Sequence, residues 1–300
     1  MHFRIIHHTE YRYREPAADS FIELRVWPRD SGSQKVLQRY ISVDPEVELD
    51  HYVDYFGNRV EYFSIPFRHE CLSVKAWADV ETLPAEPPAP CLKVTVGEAR
   101  QIMRGQMFRL FDFLQPTFHV PLDPVAARFV RRPFPEDAPL GEALLALNRH
   151  LHKTLRYRPG VTTVGTQLQE IIRRKRGVCQ DFAHLMLAIL RLHGLPARYV
   201  SGYIESDTPK GEGDDPLAGG AASHAWVEVW LPGGWWWGLD PTNDQAAGER
   251  HVRVAVGRDY HDVSPLRGAF KGARDHRLHV NVSVRRKKRP RPGTKSQSAA

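Results

Sequence analysis

Apolar residues recur at every second position through the first eighty residues and at every third or fourth position in the middle of the chain, so the two regions predict different elements. The runs Phe3 to Tyr13, Phe21 to Trp27, Val36 to Val43, Val60 to Ile65 and Leu72 to Val80 read as strands. Asp30-Ser31-Gly32-Ser33 and Phe56-Gly57-Asn58 mark turns between them, and together they predict a small antiparallel β-sandwich or curled sheet. Pro84, Pro87, Pro88 and Pro90 then predict a stiff connector. Helical spacing follows over Glu98 to Leu114, Pro124 to Val130, Leu140 to Leu151 and Thr166 to Arg174. A fifth helix carries Phe182, Leu185, Met186, Ile189 and Leu190 on one stripe and stops at Gly194 and Pro196. Beyond it, Ala197 to Ile204, His224 to Leu231, Trp235 to Leu239, Val252 to Val256 and Leu278 to Val284 return to strand character. Residues 205–223 are rich in Gly, Asp and Pro, long enough for a mobile loop that gates the neighbouring chemistry.

Three residues make that chemistry. Gly177 lets the chain turn into the fifth helix, which places Cys179 at its first turn, where free N–H groups and the positive dipole end favour a thiolate and can face an oxyanion. Arg173, Arg174, Lys175 and Arg176 add positive potential upstream, and Asp181 opposes it. His184 is near in sequence, but five helical residues turn it about 140° away from Cys179, so packing or capping suits it better than proton transfer. His224 and Asp240 lie at the open end of a hairpin folded about Pro232-Gly233-Gly234, opposite or diagonal within one or two residues. A carboxylate there can accept the imidazole N–H and fix its tautomer. A thiol, a base and a group that orients the base are what thiol-based acyl transfer requires.

These blocks carry a resemblance. Arg176-Gly177-Val178-Cys179-Gln180-Asp181-Phe182-Ala183-His184, Gly194 to Tyr203, Ser223-His224-Ala225-Trp226-Val227 and Asp240-Pro241-Thr242-Asn243 resemble the core of the bacterial transglutaminase-like family. His8-Thr9, Tyr11-Arg12-Tyr13, Leu24-Arg25 and Phe56-Gly57-Asn58 resemble its β-rich N-terminal domain. The resemblance implies an α+β, papain-like fold, in which a helix bearing the Cys packs on an antiparallel sheet bearing the His and Asp. It also implies a Cys179/His224/Asp240 triad. The superfamily includes crosslinkers, peptidases and amidases. Its eukaryotic crosslinkers carry a Trp after the Cys where Gln180 stands here, and nothing marks an amine pocket, so hydrolysis of a peptide or carboxamide is the expected outcome. Protein-glutamine amine transfer and a catalytically silent scaffold are the alternatives.

Composition changes this picture little. The 300 residues, 42% of them hydrophobic, suit two domains, drawn at 1–82 (β-rich), 83–96 (Pro-rich linker) and 97–284 (catalytic), with a basic disordered tail at 285–300. The formal charge of +7 equals the seven Lys and Arg after residue 284, so the body is neutral and any nucleic-acid contact would belong to the tail alone. Three cysteines (71, 91 and 179) without CxxC spacing argue against a disulfide framework or a zinc cage, and no cofactor is expected. With no apolar run long enough to span a membrane and no apolar leader, a cytoplasmic location is expected. His7 and His8, adjacent on a strand, point to opposite faces and read as core or surface residues rather than metal ligands. The tryptophans at 226, 230 and 235–237 read as sheet core, with one or two at a cleft rim.

Overall fold

A computed structural model describes residues 1–130, 134–205, 223–272 and 275–287. The expected gating loop at 205–223 and the expected tail from Lys288 onward lie outside the described residues, apart from the loop's end residues.

The first sheet is organised by one strand, β1 (His2–Leu24). β2 (Gln34–Asp44), β3 (Asp50–Val53), β4 (Arg59–Ile65) and β5 (His69–Thr82) complete an order β2-β5-β1-β4-β3. At 23 residues β1 is far longer than an ordinary strand, and successive stretches of it take different partners within one seven-stranded sheet. Its first half pairs with β5 from His2 to Arg12, and its last residues, Ser20 to Leu24, pair with β4. Between them the pairing shifts register around Pro16, which has no N–H to offer a ladder. The two expected strands Phe3–Tyr13 and Phe21–Trp27 are thus halves of one bent strand. Period-2 burial is clean in β5, where Leu72, Val74, Ala76, Ala78 and Val80 all face inward.

The proline-rich connector contains a helical turn, α1 (Ala89–Lys93), with a proline at its start, where a missing N–H is harmless. α2 (Val96–Arg104) opens on a Thr95/Glu98 capping box and closes at Gly105. The helix expected over 98–114 therefore breaks into α2, α3 (Met107–Leu110) and a 3-10 turn, Phe111–Leu114. Then come α4 (Pro124–Arg128), α5 (Leu140–Thr154), β6 (Arg156–Tyr157), α6 (Leu168–Arg174) and β7 (Arg176–Gly177), which pairs parallel with β6. α7 (Cys179–Leu192) is buried on nearly every side, from Cys179 through Arg191 with Gln180 excepted, as an all-round apolar helix must be.

α7 packs on the second sheet: β8 (Ala197–Ile204), β9 (His224–Leu231), β10 (Trp235–Asp240), β11 (Gln245–Ala246) and β12 (His251–Gly257). Its order is β11-β10-β9-β8-β12, antiparallel throughout. All eight residues of β9 are buried because helices cover one face and the first sheet region covers the other. After α8 (Tyr260–Val263), β13 (Leu266–Lys271) and β14 (His276–Arg286) leave this domain and pair with β1.

That pairing corrects the expected domain boundaries. Residues 266–286 complete the N-terminal sheet, because β1 has two edges to satisfy and β5 and β4 fill only one of them. The basic tail also begins later than 285. Arg286 pairs with Glu205, and Lys287 with Asp79. Nor are the two sheets separate bodies: Phe3, Ile5, Val80 and Val284 share one apolar cluster with Leu185, Ile189, Val227 and Leu239. No helix among the described residues is long and apolar enough to cross a membrane.

Candidate active site

Cys179 is the first residue of α7 and 9% exposed. The turn into it is built by Asp181, whose Oδ2 accepts the Val178 N–H at 2.8 Å and the Thr162 hydroxyl at 2.6 Å. Gly177 is required there, since a Cβ would lie 2.4 Å from that same oxygen. Burial pushes the Asp181 carboxyl up, and these two donors partly offset it. The helical ladder begins with the Asp181 and Phe182 N–H groups donating to the Val178 carbonyl, so the N–H groups of Cys179 and Gln180 precede it. Tyr157 and Tyr199 border the thiol. Burial, and then the charge of Cys179, pushes Tyr157 up to about 12 and Tyr199 well above its usual value.

His224 opens β9, and Asp240 closes β10. Paired positions in this hairpin sum to 466, as in Trp235 with Leu231 and Leu239 with Val227, which sets Asp240 diagonal to His224. Both side chains are fully buried, and His224 Nε2 lies 2.8 Å from Asp240 Oδ2. A carboxylate only accepts, so Nε2 carries the proton and Nδ1 is the nitrogen left open. Among the described residues Nδ1 has no hydrogen-bond partner, and the nearby Cys179 adds a small upward push to the imidazole pKa. Burial by itself would lower the His224 pKa. Asp240 outweighs it, with a smaller push from Cys179, and raises the pKa from 6.5 to about 10.

Asp240 is held on every side. Oδ1 accepts the N–H groups of Thr242 at 2.9 Å and Asn243 at 3.3 Å. Oδ2 also accepts Asn243 Nδ2 at 2.8 Å and His251 Nε2 at 3.1 Å. Burial resists its charge, but His224 and then His251 hold it far below the usual carboxylate range.

His251 escapes sequence reasoning: it lies near no motif, and its only signal is an unexplained polar residue at the head of a strand. His224, Asp240 and His251 bring three possible metal-ligand atoms within 4.8 Å of one another. The Gly248 N–H, however, points at His251 Nδ1 from 3.3 Å. Ligation through Nε2 would put the neutral ring's proton on Nδ1, against that donor, so the trio is built for hydrogen bonds.

His184 is not part of the centre. Its Nε2 accepts the Tyr260 N–H at 3.2 Å, its ring stacks on His119, and burial, then His119 and Arg191, keep it well below 6.5. Cys71 and Cys91 are free, half-buried thiols. Trp226, Trp230 and Trp237 are buried, and Trp226 and Trp237 join the more exposed Trp235 and Trp236 in lining a cavity of about 500 Å³ with Arg198, Arg253 and His251.

Residues 128–241 match the model of the transglutaminase-like superfamily, and residues 3–81 that of the bacterial transglutaminase-like N-terminal region. An uncharacterized protein of Mycobacterium leprae is 36% identical over 283 residues, covering 94% of this chain and 98% of that protein. A protein-glutamine gamma-glutamyltransferase of Pseudomonas aeruginosa is 34% identical over 113 residues, covering 36% of this chain but 17% of that enzyme. A solved structure from Cytophaga hutchinsonii, described as a candidate cysteine protease, shares the fold with a TM-score of 0.71 and 22% identity, covering 96% of this chain and 92% of that one.

Proposed function

Since the chain belongs to the transglutaminase-like superfamily and carries its bacterial N-terminal region, we propose that it is a thiol-dependent acyl-transfer enzyme with Cys179 as nucleophile, His224 as base and Asp240 as the base's orienting group. One observation carries this reading. His224 Nε2 is tied to a fully buried carboxylate, its Nδ1 has no partner among the described residues, and Cys179 lies near enough to push the imidazole pKa up.

Asp240 favours the imidazolium, so the proton that leaves the thiol has a stable seat on His224. The sulfur then attacks a carboxamide or peptide carbonyl carbon, and the Cys179 N–H is placed to receive the developing oxyanion. The C–N bond breaks as His224 returns the proton to the leaving amine, leaving a thioester on Cys179. Water, deprotonated by His224, attacks that thioester and releases the acid and the free thiol. Hydrolysis is the outcome we favour because water always reaches the intermediate. The similarity of the core to a protein-glutamine gamma-glutamyltransferase supports a second reading, in which a primary amine is the acceptor.

Incubation with a peptide and carboxamide library, with and without a primary amine, separates the two by product mass. Free acid alone supports hydrolysis, and amine-dependent conjugates support transfer. Products that persist in Cys179→Ala would overturn both.

A further inference from the structure

Asp240 has partners of two kinds. The Thr242 and Asn243 N–H groups and Asn243 Nδ2 lie on its own turn and move with it. Only His224 and His251, among its side-chain partners in the described residues, are anchored on other strands. His251 opens β12, which is separated from β10 by β9 and β8, so its contact ties the turn after β10 to the far edge of the sheet.

Its tautomer follows from its neighbours. A backbone amide can only donate, so His251 Nδ1 accepts from the Gly248 N–H, and Nε2 must be the protonated nitrogen that donates to Asp240 Oδ2. The ring is held edge-on against Trp226 at 5.2 Å, and the same indole stacks on His224. The charged neighbours of His251 are Asp240, His224 and Arg250. Burial lowers its pKa against the opposing pull of Asp240, and His224 and Arg250 add smaller downward pushes.

We propose that His251 is a positioning residue of the acyl-transfer centre, its Nε2–H pinning Asp240 Oδ2 so that the carboxylate stays charged and aimed at His224. The inference rests on the roles assigned above to Cys179, His224 and Asp240. Without the pin, Asp240 would keep its turn contacts, His224 and the Asn148 bond to its carbonyl, but its Oδ2 would lose the donor that holds it from β12, and the His224 ring would be less firmly aimed.

The test is the rate of Cys179 alkylation by iodoacetamide between pH 5 and 10, read by peptide mass so that Cys71 and Cys91 are scored apart. It is measured on the full chain with the thermal midpoint recorded alongside. His251→Phe keeps a ring but no donor, and His251→Gln restores an N–H. We expect His224→Ala to abolish the enhanced reactivity. His251→Phe should slow alkylation about tenfold and displace its pH profile, as loss of an outer-shell partner does elsewhere. His251→Gln should recover most of the rate. A His251→Phe protein that reacts like wild type overturns the inference alone, as does slowing that only follows the thermal midpoint and is equal in the Gln variant. A wild-type thiol no faster than free cysteine, and indifferent to His224→Ala, overturns the parent reading and this one with it. Should the Phe variant not fold, His251→Met against His251→Gln makes the same comparison.

Discussion

At the scale of single residues, the proposed centre would work by proton exchange in a buried setting. Asp240 is worth most as a charge, because an unpaired imidazolium buried beside Cys179 would be costly and burial alone lowers His224. Asp240→Asn is therefore expected to cut acyl transfer about a hundredfold or more, as removal of an orienting carboxylate does in related triads. Its stability signature has a definite sign. The pKa of His224 is higher in the folded state, so the stabilising pair is complete below pH 6.5 and lost as pH rises through about 10. Urea unfolding at pH 7 and at pH 10.5 should thus show a wild-type advantage over Asp240→Asn that shrinks at the higher pH. Cys179, His224 and Asp240 were legible in the sequence because each sits at a signalled boundary: a helix start after Gly177, a strand start after a polar loop, a strand end before Pro241. His251 was not, because its partner is fixed only when β12 is laid along β8.

At the scale of elements, the hairpin and the buried helix read almost directly. β8 and β9 have the expected bounds, and a hairpin turn at Gly233 and Gly234, both at positive φ, sets the register that joins His224 to Asp240. Elsewhere a local stop overrides the longer periodicity, as where Gly105 closes α2 after nine residues. Gly202 marks a long-range demand. A Cβ there would lie 2.5 Å from the Trp226 ring and 2.3 Å from the Val252 carbonyl, so β8, β9 and β12 approach closely only around a glycine. Gly202→Ala should displace Trp226, the indole that both histidines pack against, and cost about 1–3 kcal/mol as overpacking does. The check is a thermal melt together with Cys179 alkylation: both should fall, and an unchanged alkylation rate would mean Trp226 does not hold the histidines.

At the scale of the whole molecule, the two sheets are joined by polar as well as apolar contacts. The Tyr203 hydroxyl donates to the Val26 carbonyl at 3.0 Å and accepts from His7 Nδ1 at 2.8 Å, leaving His7 Nε2 to accept from Thr9. Burial, then His8, lowers His7 to about 4, so it is held neutral in the joint. A lowered histidine pKa means the unfolded chain binds the proton first, and stability falls as pH drops from 6.5 towards 4, by on the order of 3 kcal/mol for this residue. His7→Gln should lose less stability than wild type on acidification over that window, measured by urea midpoints at pH 7, 5 and 4. Chain termini differ in weight. Removing 288–300 should leave the melting temperature and Cys179 reactivity unchanged, whereas removing 266–300 strips two strands from β1 and should leave no cooperative melt.

By itself the sequence determined the family and most of the elements, and it named the three residues proposed for the centre, because periodicity, turn chemistry and helix-start geometry are local properties of the chain. It could not assign β13 and β14 to the sheet built by β1, since strand pairing is settled by which edges remain open once distant segments have packed. Nor could it supply the second histidine on Asp240. That contact joins residues at opposite sides of a five-stranded sheet, and only the folded arrangement decides which buried polar groups must satisfy one another.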